Sequence, residues 1–205
     1  MKKIILALIV FYQTISFAQN EENRTVVVEI DGREQSFVLN KPSKISIADR
    51  EYPITIKMNP FSVFNQAHLR FNYPSNYHVS HEKINFLAKS WNIEGNDSLI
   101  MVHDYGVLMS EEDFLKTLTD EFKTMKADVK ESTSELQTKK TVLKGRKLQI
   151  KLGNFSLHQE IFLIPRETKM SILIIQDMLS KDGKHSNEYN NLRKTLEQTL
   201  LVESN

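Results

Sequence analysis

The chain predicts an α+β protein, a mainly antiparallel β-sheet packed by two amphipathic helices at about 110–126 and 187–202, with a β-hairpin extension at the N-terminus. Three observations predict it. Apolar residues alternate with period two in short runs bounded by turn signals. Only two stretches place apolar residues at three- and four-residue spacing behind a capping residue. The connections between neighbouring strands are tight, so hairpins rather than crossover helices join them.

A leader precedes these elements. Met1, Lys2 and Lys3 are followed by an unbroken apolar run from Ile4 to Tyr12, and polar Gln13 and Thr14 follow at once. A charged start, a short apolar run and small side chains at Ser16 and Ala18 form the pattern of a secretory signal peptide over 1–18, cut before Gln19. The run is far shorter than the roughly 20 residues that span a bilayer. No cysteine stands at the cut, so no lipoprotein anchor is expected, and the product is expected in the periplasm or the medium. No later segment has the length and apolarity of a transmembrane span.

Composition bounds what the rest can be. The 205 residues are 40% hydrophobic and 26% charged, with six glycines, five prolines and no cysteine. A disulfide framework, a thiolate zinc site and a cysteine nucleophile are excluded, and so is a wholly disordered or collagen-like chain. The 27 basic residues barely exceed the 26 acidic ones, and losing Lys2 and Lys3 with the leader reverses the balance. Nucleic acid is therefore not an expected partner, because duplex binding draws on an excess of cationic contacts.

Residues 19–60 read as a β-rich extension. Val26, Val28 and Ile30 alternate with their neighbours, Asp31-Gly32 supplies a turn tolerant of positive φ, and Gln35, Phe37 and Leu39 resume the alternation. Lys41-Pro42-Ser43 breaks the second run. Tyr52, Ile54, Ile56 and Met58 form a further half-buried strand whose Pro53 suits an edge, and Asn59-Pro60 closes the extension.

A single domain is expected over 61–205. Phe61 to Ala67 reads as a connector, and a strand follows from His68 to Pro74. Phe86 to Ile93 and Ser98 to Tyr105 are two more strands, joined through Glu94-Gly95-Asn96-Asp97. A tight turn there sets Trp91 across from Ile100, and places His103 on the opposite face with Ser90 and Met101. Ser110 followed by Glu111, Glu112 and Asp113 is a variant of the capping box, with acids complementing the helix dipole. That triplet reads as helix capping before it reads as an acid/base or metal site. Phe114, Leu118, Phe122 and Met125 are the stripe the first helix buries.

Beyond Asp128 strands return. Leu148, Ile150 and Leu152 alternate with polar neighbours, Gly153-Asn154 signals a hairpin, and Leu157 to Ile164 answers it before Pro165. Met170 to Leu179 is apolar enough to be buried on both faces. Asp182-Gly183 makes a turn, Ser186 or Asn187 caps the second helix, and Tyr189, Leu192, Leu196 and Leu200 are its stripe.

From His68 onward this order resembles the PsbP/DcrB-like domain family of extracytoplasmic α+β proteins. The residues that carry the resemblance are Leu69-Arg70-Phe71-Asn72-Tyr73-Pro74-Ser75-Asn76-Tyr77, then Trp91-Asn92-Ile93-Glu94-Gly95-Asn96 entering a strand, then the capped helix around Glu112-Asp113-Phe114. It covers roughly 68–202. The resemblance implies a non-catalytic binding or assembly module. It transfers no functional residue, because no metal or partner motif of the family has a match here, and the hairpins before residue 60 depart from a minimal family domain.

Chemistry-bearing patterns are sparse. The glycines stand singly, so no phosphate-cradling loop can be built, and there is no Gly-x-Ser-x-Gly elbow. His81-Glu82 lacks a second histidine at the zincin spacing, where Asn85 stands. No catalytic residue and no cofactor is therefore named. The candidate metal ligands are His78, His81, His103 and Asp104, since imidazoles with a carboxylate suit zinc, but His78 and His81 point to opposite faces of a strand. His68, His158 and His185 show no partner pattern. Lys139, Lys140, Lys144, Arg146, Lys147 and Lys151 lie in a stretch without an acid and are the candidate binding surface for an anionic partner, set against the plainer reading of a solvated strand face. Trp91, Tyr73, Tyr77 and Tyr105 read as core and rim packing before a ligand pocket.

The function expected from all this is an exported non-catalytic binding or accessory module for a protein or cell-envelope component. The alternatives are a metal-dependent hydrolase using the His/Asp set and a carrier of a small apolar ligand between sheet and helix.

Overall fold

A computed structural model describes residues 25–203 apart from Asp31, Ala48, Asp49 and Phe86. The expected signal segment over 1–18, its cut before Gln19, Asp31 of the first expected turn and Phe86 at the start of an expected strand lie outside the described residues. The chain divides into two compact units with their boundary between Pro60 and Phe61.

The first unit is two antiparallel hairpins, β1 (Thr25–Ile30) with β2 (Arg33–Val38) and β3 (Pro42–Ile47) with β4 (Arg50–Thr55). Ile30 pairs with Arg33, and Gly32 takes a φ of 73°, the left-handed conformation a two-residue turn requires. Phe37 and Ile45 are buried, and Gln35 Nε2 donates to the Lys44 carbonyl at 2.9 Å to tie one hairpin to the other. Lys41-Pro42-Ser43, expected only to end a strand, opens β3 instead. A proline at the first strand position forfeits no ladder bond that the strand needs.

The second unit contains β5 (Phe61–Gln66), β6 (Leu69–Pro74), β7 (His78–Asn85), β8 (Ala88–Glu94), β9 (Ser98–Tyr105), α1 (Glu111–Thr124), β10 (Asp128–Gln137), β11 (Val142–Leu152), β12 (Phe155–Arg166), β13 (Lys169–Met178), α2 (Asn187–Thr199) and β14 (Leu201–Val202). Seven strands form one antiparallel sheet in the order β10-β11-β12-β13-β9-β8-β7. After the β7–β8–β9 meander, α1 carries the chain to the far edge at β10. The second meander then returns inward until β13 pairs with β9. A separate three-stranded sheet has the order β14-β6-β5.

Alternation along the seven-stranded sheet gives it two buried faces. On one, Phe114, Leu115, Leu118 and Phe122 of α1 pack with Leu148, Ile150, Ile161, Ile172 and Ile174. On the other, Tyr189, Leu192 and Leu196 of α2, together with Phe64, Leu69 and Phe71 of the small sheet, pack with Ile93, Ile100, Val102, Phe162, Leu173 and Ile175. β13 is buried on both faces because it lies inside the sheet between these two cores. Each side chain of Leu or Phe size withdrawn from water there contributes about 1.5–3 kcal/mol.

The expected α+β class is overturned. Among the described residues strands hold 59% and only two helices are present, so the described structure is β-rich and mostly antiparallel. Strand content was underread at several places, among them His78–Asn85, which no expected element covers and which forms β7. Phe61–Ala67, expected as a connector, forms β5, because Ala67 and His68 close its hairpin with φ of 53° and 57° and no glycine or asparagine announces that turn. Asp128–Gln137 forms β10 although its composition is polar, because an edge strand needs few buried side chains, here Ser134 and Leu136. The second helix ends at Thr199 rather than near 202, where Leu200 turns to ψ 124° and β14 pairs with β6. Trp91 faces Val102, one pair along from the expected Ile100, while His103 does face Ser90. Among the described residues no helix is long and apolar enough to cross a membrane.

Candidate functional site

Polar side chains are expensive inside a sheet unless they bond to one another, and β12 and β13 bury several. His158, Glu160 and Asp177 are 2%, 5% and 0% exposed. They share the α2 face of the sheet, and His158 stands directly opposite Asp177 in the β12–β13 register. The segment entering α2 and the helix itself supply their partners.

Asp177 takes three hydrogen bonds from that segment. His185 Nδ1 lies 2.8 Å from Oδ2, the Ser186 amide donates to the same oxygen at 3.2 Å, and the Ser186 hydroxyl donates to Oδ1 at 2.7 Å. Ser186 is also the N-cap, its hydroxyl accepting from the Tyr189 amide at 2.9 Å. A buried carboxylate thus holds the residue that starts the helix. With Nδ1 on Asp177, the imidazole of His185 leaves Nε2 for solvent, stacks on Tyr189 at 4.5 Å and meets His158 edge-on at 4.4 Å.

One turn further on, His158 Nε2 shares a 3.1 Å hydrogen bond with Tyr189 Oη, and Ser134 donates to Glu160 at 2.6 Å. Arg193 donates to Glu160 at 3.1 Å and to the Glu135 carbonyl at 2.6 Å, and also pairs with Glu197. Burial alone raises the Glu160 carboxyl, but the Ser134 hydroxyl, the Arg193 charge and Tyr189 together hold it below its ordinary value. Burial and the Glu160 charge push the Tyr189 phenol upward. Burial, then the neighbouring His185, lowers His158 to about 4, so it is neutral at pH 7.

At the other side of the helix start, Glu188 accepts from the amides of Asn96, Asp97 and Ser98 at 3.1, 2.5 and 3.0 Å, which clips α2 to the β8–β9 turn. A Cβ on Gly95 would stand 2.3 Å from Glu188 Oε1 and 2.6 Å from Tyr77 Cζ, so the turn and helix meet at a distance only glycine allows. Tyr77 and Ser98 share a 2.8 Å hydrogen bond beneath it.

The four candidate metal ligands do not converge. His78 is exposed on the edge strand β7, and His81 is exposed on its other face with its ring 5.0 Å from that of Trp91. His103 lies on the α1 face, its Nδ1 shielded without a partner among the described residues and its pKa lowered to about 4 by burial. Asp104 lies on the α2 face and pairs with Arg166. Among the described residues no group of three or more His, Cys, Asp or Glu side chains is placed to hold a metal ion.

The six basic candidates separate in space. β11 pairs with β12 only from Arg146 to Leu152, and its remaining residues pair with β10 alone. A Cβ on Gly145 would stand 2.1 Å from the Ile161 carbonyl oxygen and 2.7 Å from the Phe162 ring, so the parting needs glycine. Beyond it Leu136 and Leu143 pack into the α2-side core, and Thr138 closes the turn on the Thr141 carbonyl at 2.8 Å. Lys139, Lys140 and Lys144 are exposed on this braced tip. Arg146 instead lines an open groove of about 520 Å3 beside α1, held by Glu111 at 2.5 Å and Glu131 at 3.5 Å. Lys147 and Lys151 point to the α2 face, opposite Glu160 and Ser156.

The buried network escaped the sequence reading because its members lie on separate elements. A signal existed in a tight turn at Glu167-Thr168, which sets Arg166 against Lys169 and therefore His158 against Asp177. No protein-family model matches the chain, and no curated protein matches it either.

Proposed function

We propose that the chain is an exported, non-catalytic binding or accessory module for a protein or cell-envelope component, PsbP/DcrB-like over about 68–202. The observation that carries this reading is the β10–β11 tip. Lys139, Lys140 and Lys144 stand exposed on a hairpin braced by Leu136, Leu143 and Thr138, and among the described residues none of the three forms an ion pair with an acidic side chain. A cationic tip held in one conformation loses little entropy on meeting an acidic surface and speeds the encounter.

The alternatives have less support. His78, His81, His103 and Asp104 sit on different faces of the sheet, which disfavours the hydrolase built on them. The space between sheet and α2, where a carrier would hold an apolar ligand, is filled by Phe71, Phe162, Leu192 and Leu196.

The test is a pull-down of the tagged chain, without residues 1–18, from envelope extracts, beside a variant carrying Lys139→Glu, Lys140→Glu and Lys144→Glu. A stoichiometric partner retained by the first and lost by the second is expected. Failure of the unaltered chain to retain any partner, or equal retention by both, overturns the proposal. Cell fractionation tests the export on which it depends.

A further inference from the structure

His158 is 2% exposed and is satisfied on one side only, through Nε2 and Tyr189, while Nδ1 is shielded and has no partner among the described residues. The charged and titratable groups around it come from five elements. Glu160 lies on its own strand, Lys147 on β11, Asp177 on β13, His185 in the segment before α2, and Tyr189 on α2, with Arg193 behind Glu160. The helix N-terminus, the positive end of its dipole, begins at the same place.

We infer that proton uptake by His158 undocks the first turn of α2 from the sheet, so that this turn and the Glu188 clip form an acid-operated latch.

The physical reason is a count of donors and charges. A neutral imidazole can leave one nitrogen unpaired at modest cost, but an imidazolium must donate from both. Among the described residues no acceptor faces Nδ1, and the added charge adjoins His185, Lys147 and the helix dipole. The carboxylates that oppose it are already engaged, Asp177 by His185 and Ser186, and Glu160 by Ser134 and Arg193. β12 cannot yield, because it is paired on both sides by β11 and β13. The first turn of α2 can yield, because side-chain bonds from Asp177 and Glu188 hold it, and moving it admits water to His158. The Glu188 carboxylate then leaves the amides of Asn96, Asp97 and Ser98.

The direction follows from linkage. In the docked state His158 resists protonation until about pH 4, whereas in an opened, hydrated state it titrates near 6.5. Protons therefore favour opening, and the opening equilibrium rises about 20-fold between pH 7 and pH 5.

Hydrogen exchange resolved by peptide, corrected for the pH dependence of intrinsic exchange, reads this directly. Protection of amides in the first half of α2 is expected to fall about 20-fold from pH 7 to pH 5 while β13 amides keep theirs. His158→Gln is expected to flatten the response. His185→Gln is expected to shrink it, since the neighbouring imidazole no longer opposes the charge. Unchanged α2 protection in the unaltered protein, a parallel fall in β13, or a full response in His158→Gln overturns the inference. Should His158→Gln not fold, an undiminished response in His185→Gln overturns it equally.

Discussion

The two faces of the seven-stranded sheet are each covered by a helix of similar length, 14 residues in α1 and 13 in α2, yet the helices are held by different means. α1 is fixed by an apolar stripe and a local cap, with Ser110 accepting from the Asp113 amide at 3.0 Å and its acids exposed at the surface. α2 has a comparable stripe but starts on a buried carboxylate, and its next two turns bond through Tyr189 and Arg193 to polar residues inside the sheet. Apolar packing tolerates small slides along a helix axis, whereas directed bonds to Asp177 and Glu160 do not. The α2 side therefore fixes its helix position at the cost of depending on protonation state and on single polar atoms.

Removing Asp177 breaks this contrast most sharply. Asp177→Ala leaves the Ser186 amide and hydroxyl and the His185 ring without their buried acceptor, and a loss of about 3–5 kcal/mol is expected from denaturant titration, as for other buried charge partners. Asp113→Ala on the exposed start of α1 is expected to cost less than about 1 kcal/mol. Equal losses would show that the buried carboxylate does not set the two sides apart.

Acid is the next largest effect. His158 is held to about 4 in the native chain against 6.5 when unfolded, so between those values the unfolded chain binds the additional proton. Stability is full above pH 6.5, falls as the pH drops toward 4, and changes no further below that on this group's account. The total is about 3 kcal/mol. His103 under α1 titrates with the same sign, lowered to about 4 by burial. Unfolding free energies measured from pH 7.5 to 4 should therefore show a shallower slope for either His103→Gln or His158→Gln than for the unaltered chain. An unchanged slope in both would refute the burial of neutral imidazoles on the two faces.

The caps sharpen the comparison at lower energy. Ser110→Ala removes a surface cap worth about 1 kcal/mol. Ser186→Ala removes a cap that also donates to Asp177 at 2.7 Å, so about 2 kcal/mol is expected. Thermal denaturation of the two variants side by side measures the difference, and a smaller shift for Ser186→Ala would contradict the assigned geometry.

Much of this architecture was readable because its cues are local. Ser110 with Asp113, the leucine stripe of α2 and the Gly153-Asn154 turn each lie within a few residues of what they specify. The parts that escaped depend on distant pairing. β14 exists because β6 lies beside it, and β10 is recognisable only through its register with β11. The buried network is the extreme case. His158, Asp177 and His185 look unrelated along the chain, and only the β12–β13 register with the return of the chain before α2 brings them together.

The β5–β6 turn, the least announced of these, also supplies the smallest predicted effect. Ala67 and His68 occupy the left-handed region at φ 53° and 57°, which costs an L-residue roughly 1 kcal/mol each and costs Gly or Asn less. The turn is held nonetheless, because Ser171 donates to the Ala67 carbonyl at 2.8 Å and Glu203 donates its amide to the His68 carbonyl at 2.9 Å. Neither bond uses a side chain of the turn. The double variant Ala67→Asn, His68→Gly should therefore keep both and relieve the strain, raising stability by about 1 kcal/mol in denaturant titration. The gain belongs to the small sheet beside α2, so it should leave the acid response of His158 intact. A loss of stability instead would mean that the Ala67 methyl, which packs against the α2-side core, or the His68 side chain contributes more than the strain costs.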